Sequence, residues 1–299
     1  MSDPCEPCPE AIACRVLFSR VFQPPAACVS EMPTLAAAGH TLAYEWIEVG
    51  GEGRPVLVFL HEGLGSIRQW RDFPERIAHA AGCNALVYDR YGYGQSDVLV
   101  EPRRSIRFMH EEALEALPQV LAALDIEAPI LVGHSDGASI ALIHAGAGHP
   151  VRGLALMAPH VFVEPICTES IVEARRQFET TDLAQRLGRY HRDPRKSFYL
   201  WADVWLDPEF PGWNIEEYLP GVDCPLLVIQ GYDDQYGTMA QLDAIARGVR
   251  GPCELVKLEG CGHSPFRDQP TASQQAIVRF VDGLADAGAQ TRQRRSDAA

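Results

Sequence analysis

From Thr41-Leu42-Ala43-Tyr44-Glu45-Trp46 the chain opens with short alternation of apolar and polar positions, the two-residue period of a half-covered strand. The pattern then changes to short, nearly continuous apolar runs at Val56 to Leu60, Ala85 to Tyr88, Ile130 to Val132, Gly153 to Met157, Leu226 to Ile229 and Glu254 to Leu258. Helical stretches separate them. Strands apolar on both faces and alternating with helices belong to a parallel sheet that is covered on both sides. The expected fold class is therefore α/β, with a mostly parallel central sheet and helices on both faces.

The alternation breaks once. More than sixty residues lie between the run ending near Met157 and the run starting at Leu226, too many for one crossover helix. The stretch Glu169 to Tyr190 reads as helix, and Phe198, Tyr199, Trp201, Trp205, Phe210 and Trp213 follow it. An insertion at this point lies over the C-terminal edge of the sheet, where open α/β sheets place their ligands. A helical cap is expected over residues 161–220, its aromatics forming mainly its own core, with Trp201 and Trp205 as candidates to touch a substrate. The core then comprises residues 34–160 and 221–286. Residues 1–33, rich in Cys and Pro and without periodicity, read as a loose extension, and the polar, Ala-rich residues 287–299 as a disordered tail.

Composition narrows the partners. The 299 residues are 46% hydrophobic and 22% charged, which suits one large domain or a domain carrying an inserted one. A formal net charge of -14 argues against nucleic acid, whose binding depends on Lys and Arg neutralising phosphates. The basic cluster Arg292 to Arg295 falls in the tail. No apolar run approaches the ~18 to 20 residues of a membrane span, and the N-terminus carries acidic residues and prolines where a secretory leader is basic and then apolar. The reading is a cytoplasmic protein acting on a small molecule, away from membranes, as a monomer or homodimer. Nine scattered cysteines read as reduced thiols. Cys5-x-x-Cys8 has a ligand-like spacing, but Cys14 and Cys28 are single, so no metal site is expected.

The candidate chemistry begins at Gly133-His134-Ser135-Asp136-Gly137, directly after one buried-type strand and directly before a helix-like run. A serine hydroxyl becomes a useful nucleophile when a sharp strand-to-helix turn holds it clear of the backbone near a base, and the two glycines let strand and helix approach. The base needs an acid to orient it. The strand Leu226 to Ile229 runs into Gln230-Gly231-Tyr232-Asp233-Asp234, and the strand Glu254 to Leu258 runs into Gly260-Cys261-Gly262-His263-Ser264-Pro265. His263 is the candidate base and Asp234 the candidate acid, with Asp233 and Glu164 as rivals for the acid's place. Two main-chain N–H groups must also meet the oxyanion: that of Asp136, at a helix N-terminus, and that of Gly63, in the loop His61-Glu62-Gly63-Leu64-Gly65.

Taken together, the elbow, the acid loop, the histidine loop and the His-x-Gly-x-Gly loop resemble the α/β-hydrolase superfamily, in particular its capped esterase, lactonase and C-C hydrolase-like members, over about residues 40–285. Asp89-Arg90-Tyr91-Gly92-Tyr93-Gly94-Gln95-Ser96 resembles the structural turn after the family's fourth strand. The resemblance implies that Ser135, Asp234 and His263 act as a triad that needs no metal or organic cofactor. Glu62 departs from it, because the family usually has Gly there. A carboxylate beside an oxyanion site either turns away into a hydrogen-bonded position or meets a polar substrate, so Glu62 and His61 are candidates for substrate contact. A Ser nucleophile also argues against the dehalogenase and epoxide-hydrolase branches, which need a carboxylate. The expected reaction is hydrolysis of a small to medium carboxylic ester, thioester or lactone. The other readings are C-C hydrolysis of a diketone-like intermediate, a hydrolase-fold ligand receptor, and acyl transfer or perhydrolysis.

Overall fold

The computed structural model of the chain describes residues 32–50 and 53–297. The extension expected over the first residues, with Cys5 and Cys8, lies almost wholly outside them. Eight strands form one sheet: β1 (Thr34–Ala37), β2 (His40–Ile47), β3 (Leu57–Leu60), β4 (Ala85–Tyr88), β5 (Ile130–His134), β6 (Gly153–Met157), β7 (Leu226–Gly231) and β8 (Cys253–Leu258). Their order across the sheet is β1-β2-β4-β3-β5-β6-β7-β8. The pairs β1/β2 and β2/β4 are antiparallel, and every pair from β4 to β8 is parallel.

The central strands are buried on both faces, yet their alternation persists in what each side chain touches. Leu57 and Phe59 of β3 join Ile130 and Val132 of β5 in one core with helices α1 (Phe73–Ala81) and the first part of the last helix, through Ile77, Ile277 and Val281. Val58 and Leu60 point the other way, to a second core with Phe108, Leu117, Ile140 and Ile143. Those residues come from α2 (Phe108–Glu111), α3 (Leu117–Ala123) and α4 (Asp136–Gly146), and a π-helical segment, Glu112–Ala116, joins α2 to α3. Apolar side chains at every position of β3 and at Ile130, Leu131 and Val132 of β5 follow from this two-sided cover. The edge strand β8 is only partly buried, which matches its mixed sequence Cys253-Glu254-Leu255-Val256-Lys257-Leu258.

The β6–β7 connection holds α5 (Pro165–Thr180), α6 (Leu183–Leu187) and α7 (Pro194–Trp205), followed by short 3-10 turns. The single helix expected over Glu169 to Tyr190 is two helices. Thr181 is extended, at φ -125° and ψ -173°, and breaks the run. β7 leads to α8 (Ala240–Gly248), and β8 to the short α9 (Pro265–Asp268) and then α10 (Pro270–Asp297). The last helix thus runs through much of the segment expected as a disordered tail, in keeping with the helix-favouring Ala, Gln and Arg there.

Candidate active site

Ser135 stands between the end of β5 and the start of α4 with φ 52° and ψ -119°, a region L-residues rarely occupy. Its own N–H donates to Met157 O at 2.9 Å, which ties the turn to β6. The flanking glycines are there for space: a Cβ on Gly133 would lie 2.6 Å from Ala138 Cα, and one on Gly137 would run into the Leu60 carbonyl. The turn therefore stores strain that its packing holds in place, and it presents Oγ at the C-terminal edge of the sheet.

Asp234 and His263 reach the same edge from the loops after β7 and β8. The Ser135 Oγ–His263 Nε2 distance is 2.9 Å, and His263 Nδ1 lies 2.8 and 3.0 Å from Asp234 Oδ1 and Oδ2. A carboxylate can only accept, so Nδ1 carries the ring proton and Nε2 is left to accept from the serine hydroxyl. Burial works against an ionised Asp234, but the charge and hydrogen bond of His263 and the N–H of Tyr236, 2.8 Å from Oδ1, outweigh it and hold the carboxyl below its usual range. Of the rival acids, Asp233 is exposed. Glu164 accepts from Thr238 N, Thr238 Oγ1 and Gln241 Nε2 instead. Gly231 lets the two loops meet, because a Cβ there would strike the Cys261 carbonyl.

A cavity of about 120 Å³ opens beside Ser135; Glu62, Gly63, Asp136, Trp201, Trp205 and His263 are among the residues that line it. The Gly63 N–H has no acceptor among the described residues. A Cβ on Gly63 would collide with the Trp201 indole, so the missing side chain is what lets α7 close down on this loop. The Asp136 N–H is the first of α4, where the helix dipole favours negative charge. Its side chain, fully buried, lies 3.9 Å from Arg90.

His61 does not reach the cavity, contrary to its expected substrate contact. Its ring is fully buried, its Nδ1 lies 2.7 Å from the Glu62 carbonyl, and its Nε2 accepts from the Arg90 N–H at 3.1 Å. Both nitrogens serve the backbone, and His61 holds the shape of the loop. Glu62 does line the cavity, but its carboxylate is already engaged, 3.3 Å from His134 Nδ1 and 3.6 Å from Arg267 Nη2. Burial opposes its ionisation, yet the bond from His134 and the neighbouring positive charges hold its carboxyl well below the usual range.

Sequence reasoning passed over four residues of the cavity wall: His160, Cys167, Ile171 and Tyr236. His160 follows the end of β6, on the sheet edge that carries the elbow, and that position was the available signal. Burial, with the nearby charge of His263, pushes its pKa down to about 3, and its Nδ1 has no hydrogen-bond partner among the described residues. The Tyr236 ring is 4.7 Å from that of His263.

A model of the alpha/beta hydrolase family matches residues 57–273, spanning the elbow, both loops and the oxyanion loop. The chain belongs to that family. Among curated relatives, a haloalkane dehalogenase of Bradyrhizobium diazoefficiens is 28% identical over 182 residues, which cover 58% of this chain and 54%, about half, of the dehalogenase. A proline iminopeptidase of Lactobacillus helveticus is 22% identical, the match covering 77% of this chain and 90% of the peptidase. Among solved structures, the enol-lactonase from Burkholderia xenovorans aligns with a TM-score of 0.66 at 19% identity, over 84% of this chain and 100% of the lactonase. These alpha/beta hydrolase relatives differ by name in the bond they break. Family and fold are therefore settled by the comparisons, while the bond has to be argued from the site. No helix among the described residues is long and apolar enough to cross a membrane.

Proposed function

We propose that the chain is a serine hydrolase that cleaves a small to medium carboxylic ester, thioester or lactone through an acyl-enzyme on Ser135. The observation that carries this reading is the unbroken contact from Ser135 Oγ through His263 to Asp234, beside a cavity into which a carbonyl could enter. Ser135 Oγ attacks the carbonyl carbon while His263 Nε2 takes its proton. The N–H groups of Gly63 and Asp136 receive the oxyanion, an interaction typically worth about 2.7 to 4 kcal/mol per donor. Collapse expels the alcohol, thiol or ring oxygen, which takes the proton from His263. Water, deprotonated by the same imidazole, then cleaves the acyl-enzyme and restores Ser135.

Residues 161–220 serve as a cap in this reading. Trp201 and Trp205 each bring to the cavity an indole N–H with no acceptor among the described residues. A substrate with an oxygen acceptor beyond the scissile carbonyl fits those donors, because a buried donor left unpaired costs about 1 to 3 kcal/mol. The C-C cleavage reading needs a polar cap site that ketonises the substrate. Arg175, Arg176 and Arg186 pair instead with Asp203, Glu173 and Asp182, and none of the three lines the cavity. This favours the ester reading. Ser135→Ala is expected to abolish both turnover across a panel of graded esters, thioesters and lactones and labelling by a fluorophosphonate. Full labelling of that variant would sink the proposal.

A further inference from the structure

His134 fills the variable position just before the nucleophile, and no step of the proposed reaction uses it. Its ring is 1% exposed, packed edge-on against Trp70 and Phe266. Nδ1 lies 3.3 Å from Glu62 Oε2, and Nε2 lies 2.6 Å from the main-chain oxygen of His263. Both neighbours are pure acceptors, provided that Glu62 is ionised. The guanidinium beside that carboxylate, Arg267 Nη2 at 3.6 Å from Oε1, favours the ionised form. A neutral imidazole has one N–H and could satisfy only one of the two contacts. Both are made only by a ring protonated at both nitrogens.

The connectivity gives that charge a purpose. The Glu62 main chain is pinned, its carbonyl accepting from Arg90 Nη2 at 2.9 Å, from His61 Nδ1 at 2.7 Å and from the Gly65 N–H at 3.0 Å. A line of hydrogen bonds therefore runs from the oxyanion loop, through the residue adjoining Ser135, to the backbone of the base. The Glu62 position is also where the chain departs from the family's usual Gly, which has no side chain to make such a link. We propose that Glu62 and His134 form a buried charged pair that positions the base: His134, as an imidazolium, donates one N–H to Glu62 and the other to the His263 carbonyl, locking three loops in register. The pair rests on the reading of Ser135 and His263 as nucleophile and base. Glu62 and His134 are positioning residues, because they act on the substrate only through His263 and the loop of Gly63.

Nitrogen-15 NMR of the full chain, with His134 assigned by comparison with His134→Gln, reads the protonation directly. Two ring N–H groups are expected on His134 in the wild type near neutral pH, and one in Glu62→Gln. Kinetics give the second readout. His134→Asn keeps a donor near the Nδ1 position and loses the reach to His263, and is expected to lower kcat by about 10²-fold with KM nearly unchanged, the effect of a small misplacement of a catalytic group. His134→Gln, whose amide nitrogen extends to the Nε2 position, is expected to recover most of that loss. A single ring N–H on wild-type His134, or a folded His134→Asn with wild-type kcat, overturns the proposal. Should His134→Asn fail to fold, the ring spectra of the wild type and of Glu62→Gln decide the matter alone. Persistent labelling of Ser135→Ala would overturn the hydrolase reading instead, and leaves the ring count a separate result.

Discussion

A backbone at φ 52° for Ser135 is a local cost accepted only because the neighbouring groups leave no relaxed alternative. The same logic of fixed neighbours governs Asp234, whose carboxylate meets His263 Nδ1 and the Tyr236 N–H together. Asp234→Asn would place an amide where only an acceptor suits, and favour the wrong imidazole tautomer. It is expected to lower kcat by about 10⁴-fold with an unchanged circular dichroism spectrum; activity within tenfold of wild type would remove Asp234 from the proposed reaction. At this scale the candidate triad was legible, because each member sits in a short loop after a strand whose apolar run marks it. His61 misled because a polar residue beside a Gly-rich loop looks available, and nothing local reveals that both its nitrogens are taken by the backbone of Glu62 and Arg90. His134 was inside the quoted motif and still unread, since its partners come from residues far along the chain.

Among the elements, the turn between α6 and α7 does more than connect. His191 there is buried, accepts from the Gly94 N–H at 3.0 Å and lies 3.0 Å from the Leu64 carbonyl, while the Arg192 N–H donates to Gly94 O. Ser197 adds a bond from α7 to Gly92 O at 2.6 Å. The β6–β7 connection is thus tied both to the Gly-rich turn after β4 and to the loop of Gly63. His191→Ala leaves a buried N–H and a carbonyl without their partner, at a cost of about 1 to 3 kcal/mol each. The expected outcome is a lower Tm together with a raised KM, as the Trp201 indole of α7 loses its seat over Gly63. A fall in Tm with KM untouched would show that the tie is structural only. The strands were readable from their apolar runs. The π-helical segment at Glu112–Ala116 was not, and neither was the break at Thr181, where the hydroxyl donates to the Gln177 carbonyl and accepts from the Leu183 N–H in place of the helical ladder.

Across the whole molecule, buried titratable groups set how stability varies with pH. Burial pushes His144 down to about 4 and His160 down to about 3. Both are near 6.5 in an unfolded chain, so the unfolded state binds protons that the fold excludes, and their contribution is lost as pH falls through that window. Asp89 acts oppositely: burial lifts it to about 6 against the N–H groups of Gln95 and Ile67, so its contribution is present in acid and lost as pH rises through about 6. Between pH 7 and pH 5 the two histidines take up protons only when unfolded, against one aspartate that takes up a proton only when folded, so the histidines prevail. Urea unfolding is expected to show lower stability at about pH 5 than at about pH 7, with a shallower dependence in His144→Gln. A flat profile between those values would mean that the histidines are less dry than their burial implies. The strand order carries a further consequence, in time rather than space. Ser135 directly follows a central strand, but its contact with His263 waits on β7 and β8, the last two strands to leave a ribosome. A half-made chain displays the elbow without its base, so the nucleophile gains its partner only when the rest of the sheet has been synthesised around it.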